Sequence, residues 1–242
     1  MTLRRNLVNG GVRLLSQMLV RMDPQALDSV PPRGPLIIAA NHVNFMEAPL
    51  MITHMLPRPL TVVTKPASFE KPFRRFFFQN WDSIIVTPGQ GDRQSFLEIQ
   101  AALADGRIVA ILPEGTRSGD GCLRQGYPGI VLAAIRSGAP ILPIVYYGHE
   151  TFWEDLKHLR RATFNLVVGS PFRLENHGQA LSRAVREQMT AEIMYQMAAL
   201  LPQRYRGLYS DLENATAEYL AFDVQNVNNL SRAAIQAAAY QA

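Results

Sequence analysis

Short, nearly uninterrupted apolar runs punctuate the first two thirds of this chain: LIIAAN at 36–41, IVAIL at 108–112 and ILPIVYYG at 141–148. Each reads as a buried strand, bounded by proline- or glycine-bearing stretches such as PPRGP at 31–35. The stretches at 91–106 and 129–140 read instead as amphipathic helices; Phe96, Leu97, Ile99, Ala102 and Leu103 recur at helical spacing before a glycine stop. Strand and helix therefore alternate. That pattern predicts an α/β fold, a single domain with a central mixed, largely parallel sheet flanked by helices. With 242 residues, 48% of them hydrophobic, the chain can bury a substantial core. A long helix is expected over 179–201, where Leu181, Ala184, Val185, Met189, Ile193, Met197 and Leu200 precede Pro202. The alanine- and asparagine-rich tail to Ala242 adds further helical pieces.

Two of the apolar runs lead directly into polar blocks. NHVNFME (41–47) puts His42 at a strand's carboxyl end, the edge where ligands gather in open α/β sheets. Ala48, Pro49, Leu50, Met51, Ile52 and Met55 then predict a helix, with Pro49 in a first turn that needs no N–H from it. Side chains five apart on one helix point about 140° apart. His42 and Glu47 therefore meet only if the histidine occupies the turn and the glutamate opens the helix. In that arrangement the carboxylate fixes the imidazole tautomer and leaves the other nitrogen to take a proton from a hydroxyl nucleophile. The plain alternative is a histidine and a glutamate sharing a loop, since HxxxxE recurs by accident.

LPEGTRS (112–118) is the second block. Arg117 offers a planar, permanently charged fork suited to bidentate phosphate recognition. Thr116 and the backbone around Gly115 can add donors to the same anion, while Glu114 can buttress the arginine or hold an acceptor hydroxyl. An ordinary turn with a surface ion pair is the competing reading.

With these blocks the sequence resembles the glycerolipid acyltransferase family, of the lysophosphatidic acid acyltransferase type, whose members carry an NHxSxxD block followed further on by FPEGTRS. Asn41, His42, Asn44 and Glu47 stand at the first block, and 112–118 matches the second almost letter for letter. Lys65 falls where the family marks a lysine before an amphipathic segment. Pro140, Ile141, Leu142, Pro143 and Ile144 resemble its PIxPV strand, and Val168, Gly169, Ser170 and Pro171 its closing strand and turn. The likeness covers about residues 30–175. Some positions depart from it. Glu47 replaces the usual aspartate, as in related acyltransferases that act on lipid A. The arginine usual after the next strand is absent from 81–87, leaving Arg93 as its candidate substitute, and Gln125 stands where a lysine is common.

The resemblance implies a glycerolipid acyltransferase-like fold with His42 as general base and Glu47 as its orienter. Substrate binding falls to Asn41, Glu114, Gly115, Thr116, Arg117, Lys65 and Arg93. The implied reaction moves a fatty acyl group from an acyl thioester, acyl-CoA or acyl carrier protein (acyl-ACP), to a lysophospholipid hydroxyl, with 1-acylglycerol-3-phosphate the leading acceptor. Neither a metal nor a further cofactor is needed. A noncatalytic lipid-binding homologue and an acyl thioesterase are the alternatives.

Outside the two blocks, residues 3–22 place Leu3, Leu7, Gly11, Leu14, Leu15, Met18 and Met22 near one helical face among arginines. The segment carries too much charge to span a bilayer. It predicts a basic amphipathic helix that either lies on an anionic membrane surface or packs on the domain. KPASFEKPFRRFFFQNWD (65–82) interleaves cations with Phe69, Phe73, Phe76, Phe77, Phe78 and Trp81, either a headgroup boundary or part of the core. The net charge of +4 favours anionic surfaces, and no recognition motif points to nucleic acid. These readings divide the chain into a membrane-contact helix (1–30), an acyltransferase domain (31–202) and a helical C-terminal extension (203–242), held peripherally on the cytoplasmic side of a membrane. The single cysteine, Cys122, excludes an intramolecular disulfide, and neither a zinc-ligand spacing nor a GxSxG elbow occurs. His54, His149, His158 and His177 show no partner spacing that sets them apart.

Overall fold

The computed structural model describes residues 3–87 and 93–239. Helix α1 (Leu3–Leu19) runs into a two-residue strand, β1 (Val20–Arg21). The first crossover is β2 (Leu36–Ala40), α2 (Glu47–His54) and β3 (Leu60–Thr64), followed by α3 (Pro72–Asn80) and β4 (Ile84–Ile85). Next come α4 (Arg93–Ala104), β5 (Ile108–Ile111), α5 (Gly129–Ser137) and β6 (Ile141–Tyr147). The chain continues through α6 (Phe152–Lys157), β7 (Ala162–Thr163), β8 (Asn165–Val168) and β9 (Arg173–Leu174). It closes with α7 (Arg183–Ala199), a set of short 3-10 turns, β10 (Leu220–Ala221) and α8 (Asn229–Ala239).

Six strands form the main sheet in the order β4-β3-β5-β2-β6-β8. All neighbours are parallel except β6 and β8, which makes the sheet mixed and largely parallel. Both faces are covered, which is why the central strands are apolar throughout rather than alternating. Ile37, Ala39, Val109, Ile111, Ile141 and Val145 pack on the face that carries α4, α5 and α7. The intervening residues, among them Leu36, Ile38, Ile108, Leu142 and Ile144, pack on the face that carries α2 and α6. Complete burial of each such aliphatic side chain stabilises by roughly 1.5–3 kcal/mol, so the register of these strands is strongly determined.

The connections leaving the two middle strands diverge. From β2 the chain crosses one face, through α2, to reach β3; from β5 it crosses the other, through α5, to reach β6. A crevice opens at such a switch point, at the carboxyl ends of the strands. The carboxyl ends of β2, β5 and β6 thus share one edge.

Helix α1 packs through a mixed face, with half-buried Val12 and Leu19 beside polar residues, and leaves most of its leucines outside. Its buried residues are Asn9 and Ser16, whereas Leu3, Leu7, Leu14, Leu15 and Met18 are all more than half exposed. The polar face is held by specific bonds: Trp81 Nε1 donates to Asn9 Oδ1 at 2.9 Å, and Arg5 pairs with Asp82 at 2.5 Å. Arg4 lies over the Phe76 ring at 5.3 Å, joining α1 to α3. Phe77 and Phe78 of α3 are half-buried and Trp81 is buried, while Phe73 and Phe76 are exposed, so the aromatic stretch divides between core and surface. Among the described residues no helix is long and apolar enough to cross a membrane.

The C-terminal segment packs on the same domain. Tyr205, Tyr209 and Tyr219 enter the core, β10 pairs with β9, and Asn229 at the head of α8 bonds to Gln196 of α7. Helix α7 starts later than its apolar spacing predicts, because the Ser182 side chain accepts from Val185 N and caps it there. Gly207, at φ +53°, passes so close to Leu123 that a Cβ would fall 2.1 Å from the Leu123 carbonyl oxygen.

Candidate active site

The turn after β2 and the turn after β5 are clasped together through their backbones. The His42 N–H donates to Glu114 Oε1 at 2.9 Å, and the His42 carbonyl accepts from the Ser118 N–H at 2.7 Å. Glu114 Oε2 accepts from Arg124 N at 2.8 Å. One glutamate therefore ties together the histidine's own main chain and both limbs of the loop that carries Gly115, Thr116 and Arg117. Glu114 is 1% exposed. Burial pushes its pKa up to about 7, with the nearby Glu47 charge adding to the rise, against the pull of the two amide donors. The sequence led to Glu114 as an acceptor-binding residue; in the fold each of its oxygens accepts one backbone amide. Both of its oxygens are engaged inside the protein, where it braces the loop.

Asn41, also expected among the substrate-binding residues, bonds across to the neighbouring strand. It is 1% exposed, its Nδ2 donates to the Tyr146 carbonyl at 2.8 Å, and its Oδ1 accepts from the Tyr146 N–H at 2.8 Å. Its amide continues the pairing of β2 with β6 beyond the strand.

Glu47 opens α2, as the spacing requires, and is fully buried. Its Oε1 accepts from the N–H groups of Val43 at 3.0 Å and Asn44 at 2.8 Å, and faces His149 Nε2 at 2.8 Å. Its Oε2 stands 3.4 Å from His42 Nδ1. That last approach is long and poorly aligned for a hydrogen bond, but both atoms are shielded from water and neither has another partner. A small ring rotation on substrate binding would close it. Burial alone would raise the Glu47 pKa; the side-chain contacts from His149 and His42 outweigh it and bring it down to about 2. The carboxylate is therefore ionised at neutral pH.

His149 is the residue missed in reading the sequence as having no distinguishing partner. It lies just past the carboxyl end of β6, on the edge that also holds His42 and Glu114. That position was the available signal: the end of a third buried parallel strand marks the same crevice as the first two.

Arg117 and Thr116 are exposed beside this cluster. Burial lowers the Arg117 pKa, and the Arg74 guanidinium of α3 lowers it further, so two cations share this side of the site. Gly115, at φ +58°, makes the turn that a side chain would strain, with the Tyr127 ring in van der Waals range. Lys65 is exposed at the end of β3, on the same edge. Arg93 begins α4 beyond β4 and is exposed; three strand spacings, roughly 14 Å, separate β4 from β2, and no described contact links Arg93 to the cluster. Arg74, rather than Arg93, is the cation whose charge acts on Arg117; the GQGD stretch before Arg93 lies outside the described residues. Two cavities, of about 270 and 520 Å³, open elsewhere, one under Arg33 and Arg173 and one between α3 and β4. Neither is lined by His42 or Arg117.

At the carboxyl edge of a largely parallel sheet, a histidine, a buried carboxylate and an exposed arginine thus come together. Comparison with known proteins identifies the class: residues 21–147 match the family model Acyltransferase, and the chain belongs to that family. A 1-acyl-sn-glycerol-3-phosphate acyltransferase of Borreliella burgdorferi is 27% identical over 128 residues, covering 52% of this chain and 51% of that protein. One of Bacillus subtilis is 24% identical over 190 residues, covering 77% and 87%. The chain spans about half the length of the Borreliella relative. In fold, the crystal structure of the 1-acyl-sn-glycerophosphate (LPA) acyltransferase PlsC from Thermotoga maritima resembles it with a TM-score of 0.53 at 18% identity, covering 76% of this chain and 75% of that one.

Proposed function

We propose that the chain is an O-acyltransferase that moves a fatty acyl group from an acyl thioester to the free hydroxyl of a lysophospholipid, with 1-acylglycerol-3-phosphate as acceptor. The observation that carries this reading is the juxtaposition of an imidazole backed by a buried carboxylate with the exposed Arg117 and Thr116, two turns joined through His42 itself. His42 Nε2 takes the proton of the attacking hydroxyl while Glu47 steadies the imidazolium. The hydroxyl oxygen bonds to the acyl carbon, the carbon–sulfur bond breaks, and the proton passes to the departing thiolate. Arg117, with Arg74 beside it, holds the acceptor's phosphate. The donor is acyl-CoA or an acyl carrier protein; its thiol leaves in either case.

We infer that the reaction runs at a membrane surface. A soluble helix turns its large apolar residues inward, whereas α1 leaves Leu3, Leu7, Leu14, Leu15 and Met18 outward, and the exposed Phe73 and Phe76 of α3 extend that apolar surface, with Arg4 over the Phe76 ring. An anionic bilayer, where the lysophospholipid resides, suits such a surface. Sedimentation with anionic and neutral vesicles checks it: binding should favour the anionic ones and weaken on Leu7→Glu or Leu14→Glu, and equal binding by wild type and both variants would reject it.

The activity is tested by following free thiol from acyl thioesters with and without 1-acylglycerol-3-phosphate. Thiol release should require the acceptor. His42→Ala should lose at least ~10²-fold. Acceptor-independent release would favour a thioesterase, and no release with any acceptor would favour a noncatalytic lipid-binding protein.

A further inference from the structure

The acyl-transfer reading assigns His42 and Glu47 and leaves His149 without a task, although no solvent reaches it. Three residues of the first block converge on the segment that holds it. Asn41 bonds to the Tyr146 backbone, Asn44 Nδ2 donates to the His149 carbonyl at 3.3 Å, and the Glu47 carboxylate meets the His149 ring at 2.8 Å. The ring itself is locked. It stacks on Phe164 at 3.9 Å between centroids and takes the Tyr146 ring edge-on.

We infer that His149 is a positioning residue: its Nε2–H, together with the two backbone amides, holds one oxygen of Glu47 and leaves the other to His42 alone. Oε1 then receives three N–H donors, while Oε2 has no hydrogen bond and faces His42 Nδ1. A carboxylate free to rotate would offer either oxygen, or a shared one, to the base. His149 removes that freedom. Its Nδ1 is buried without a partner. A proton there would be a buried unsatisfied donor on a charged ring, whereas a bare Nδ1 leaves only a lone pair unmet, so the ring acts as an Nε2–H donor rather than a proton carrier.

The same geometry accounts for a glutamate at position 47. The carboxylate must touch the amides at 43 and 44, the His42 ring and the His149 ring at once. An aspartate there would stop about one carbon–carbon bond, roughly 1.5 Å, short. The ionisable groups that act on this carboxylate are His42 from the β2 turn, His149 and the Tyr146 hydroxyl from the end of β6, and Glu114 and Arg117 from the turn after β5.

The inference rests on the acyl-transfer reading for its effect on rate, and its geometry can be tested without turnover. Nitrogen-15 NMR of the wild-type imidazoles should find His149 as the Nε2–H tautomer; a bare Nε2 would overturn the inference, because it could not donate to Glu47. His149→Phe keeps a ring on Phe164 and removes the donor. It should lower kcat roughly a hundredfold, the scale of a small misplacement of a catalytic group, with the acceptor KM unchanged and the acid limb of the pH–rate profile moved downward, because a carboxylate free to turn supports the imidazolium less. His149→Gln, which can offer an amide N–H, should recover part of the loss. In a Glu47→Gln background His149→Phe should cost no further activity, since its effect runs through Glu47. A full additive loss there, or wild-type kcat and pH profile in a folded His149→Phe protein, would overturn the inference. A His149 Nε2–H tautomer in a wild-type protein that transfers no acyl group would instead sustain the positioning contact and reject the acyl-transfer reading.

Discussion

Glu47 and Glu114 lie at the same edge of one sheet, both sealed from solvent, and their carboxyls are driven in opposite directions. Glu47 falls to about 2 and Glu114 rises to about 7. Desolvation raises both. The difference lies in the partners. Glu47 faces two imidazoles as well as two backbone amides, whereas Glu114 has backbone amides alone and feels the repulsion of Glu47. Burial by itself therefore says little about what a carboxylate does. The surrounding donors turn one into a permanently charged orienter and the other into a brace whose charge is costly.

The largest effect that would break this contrast concerns rate. Glu47→Gln should lower kcat by ~10²–10⁴-fold with little change in acceptor KM, because the base loses the charge that supports its protonated form. Glu114→Gln should lower it less, acting only through the main-chain anchor of His42. Equal losses in steady-state kinetics would show that the two carboxylates do not divide the work.

A smaller effect concerns stability against pH. Relative to an unfolded value of 4.5, the folded Glu114 holds its proton more tightly, so its contribution is full below pH 4.5 and is lost as the pH rises through about 7. Glu47 behaves in the opposite sense. Its contribution is present above 4.5 and is lost as the pH falls through about 2. Urea unfolding from pH 5 to 8 should therefore show wild type losing stability relative to Glu114→Gln, by up to about 3 kcal/mol. A difference independent of pH would remove Glu114 from the contrast.

The two regions also differ in how far the sequence exposed them. That His42 and Glu47 must straddle a turn and a helix start follows from their spacing, and α2 begins at Glu47. That Glu114 reaches back to the His42 main chain does not follow, because Glu-Gly-Thr-Arg reads as a set of ligands until the amide donors are seen. The bonds of Asn41 to β6 were hidden for the same reason: an amide can serve a substrate or a neighbouring strand, and its local sequence is the same in both cases. The exposed leucines of α1 lay on the face their spacing indicated, but whether that face met the core or the surroundings depended on Asn9 finding Trp81.

The sequence by itself determined the alternation of strand and helix, the strands' burial on both faces and the two blocks at strand ends, since these depend on local periodicity and on residues near one another in the chain. The tertiary structure decided which carboxylate orients the base, which one braces the loop, and that His149, 102 residues from Glu47, belongs to the site. Strand order is the reason. β6 lies beside β2 only because the crossover from β5 passes the opposite face of the sheet, and nothing local to Gly148 or His149 encodes that neighbour.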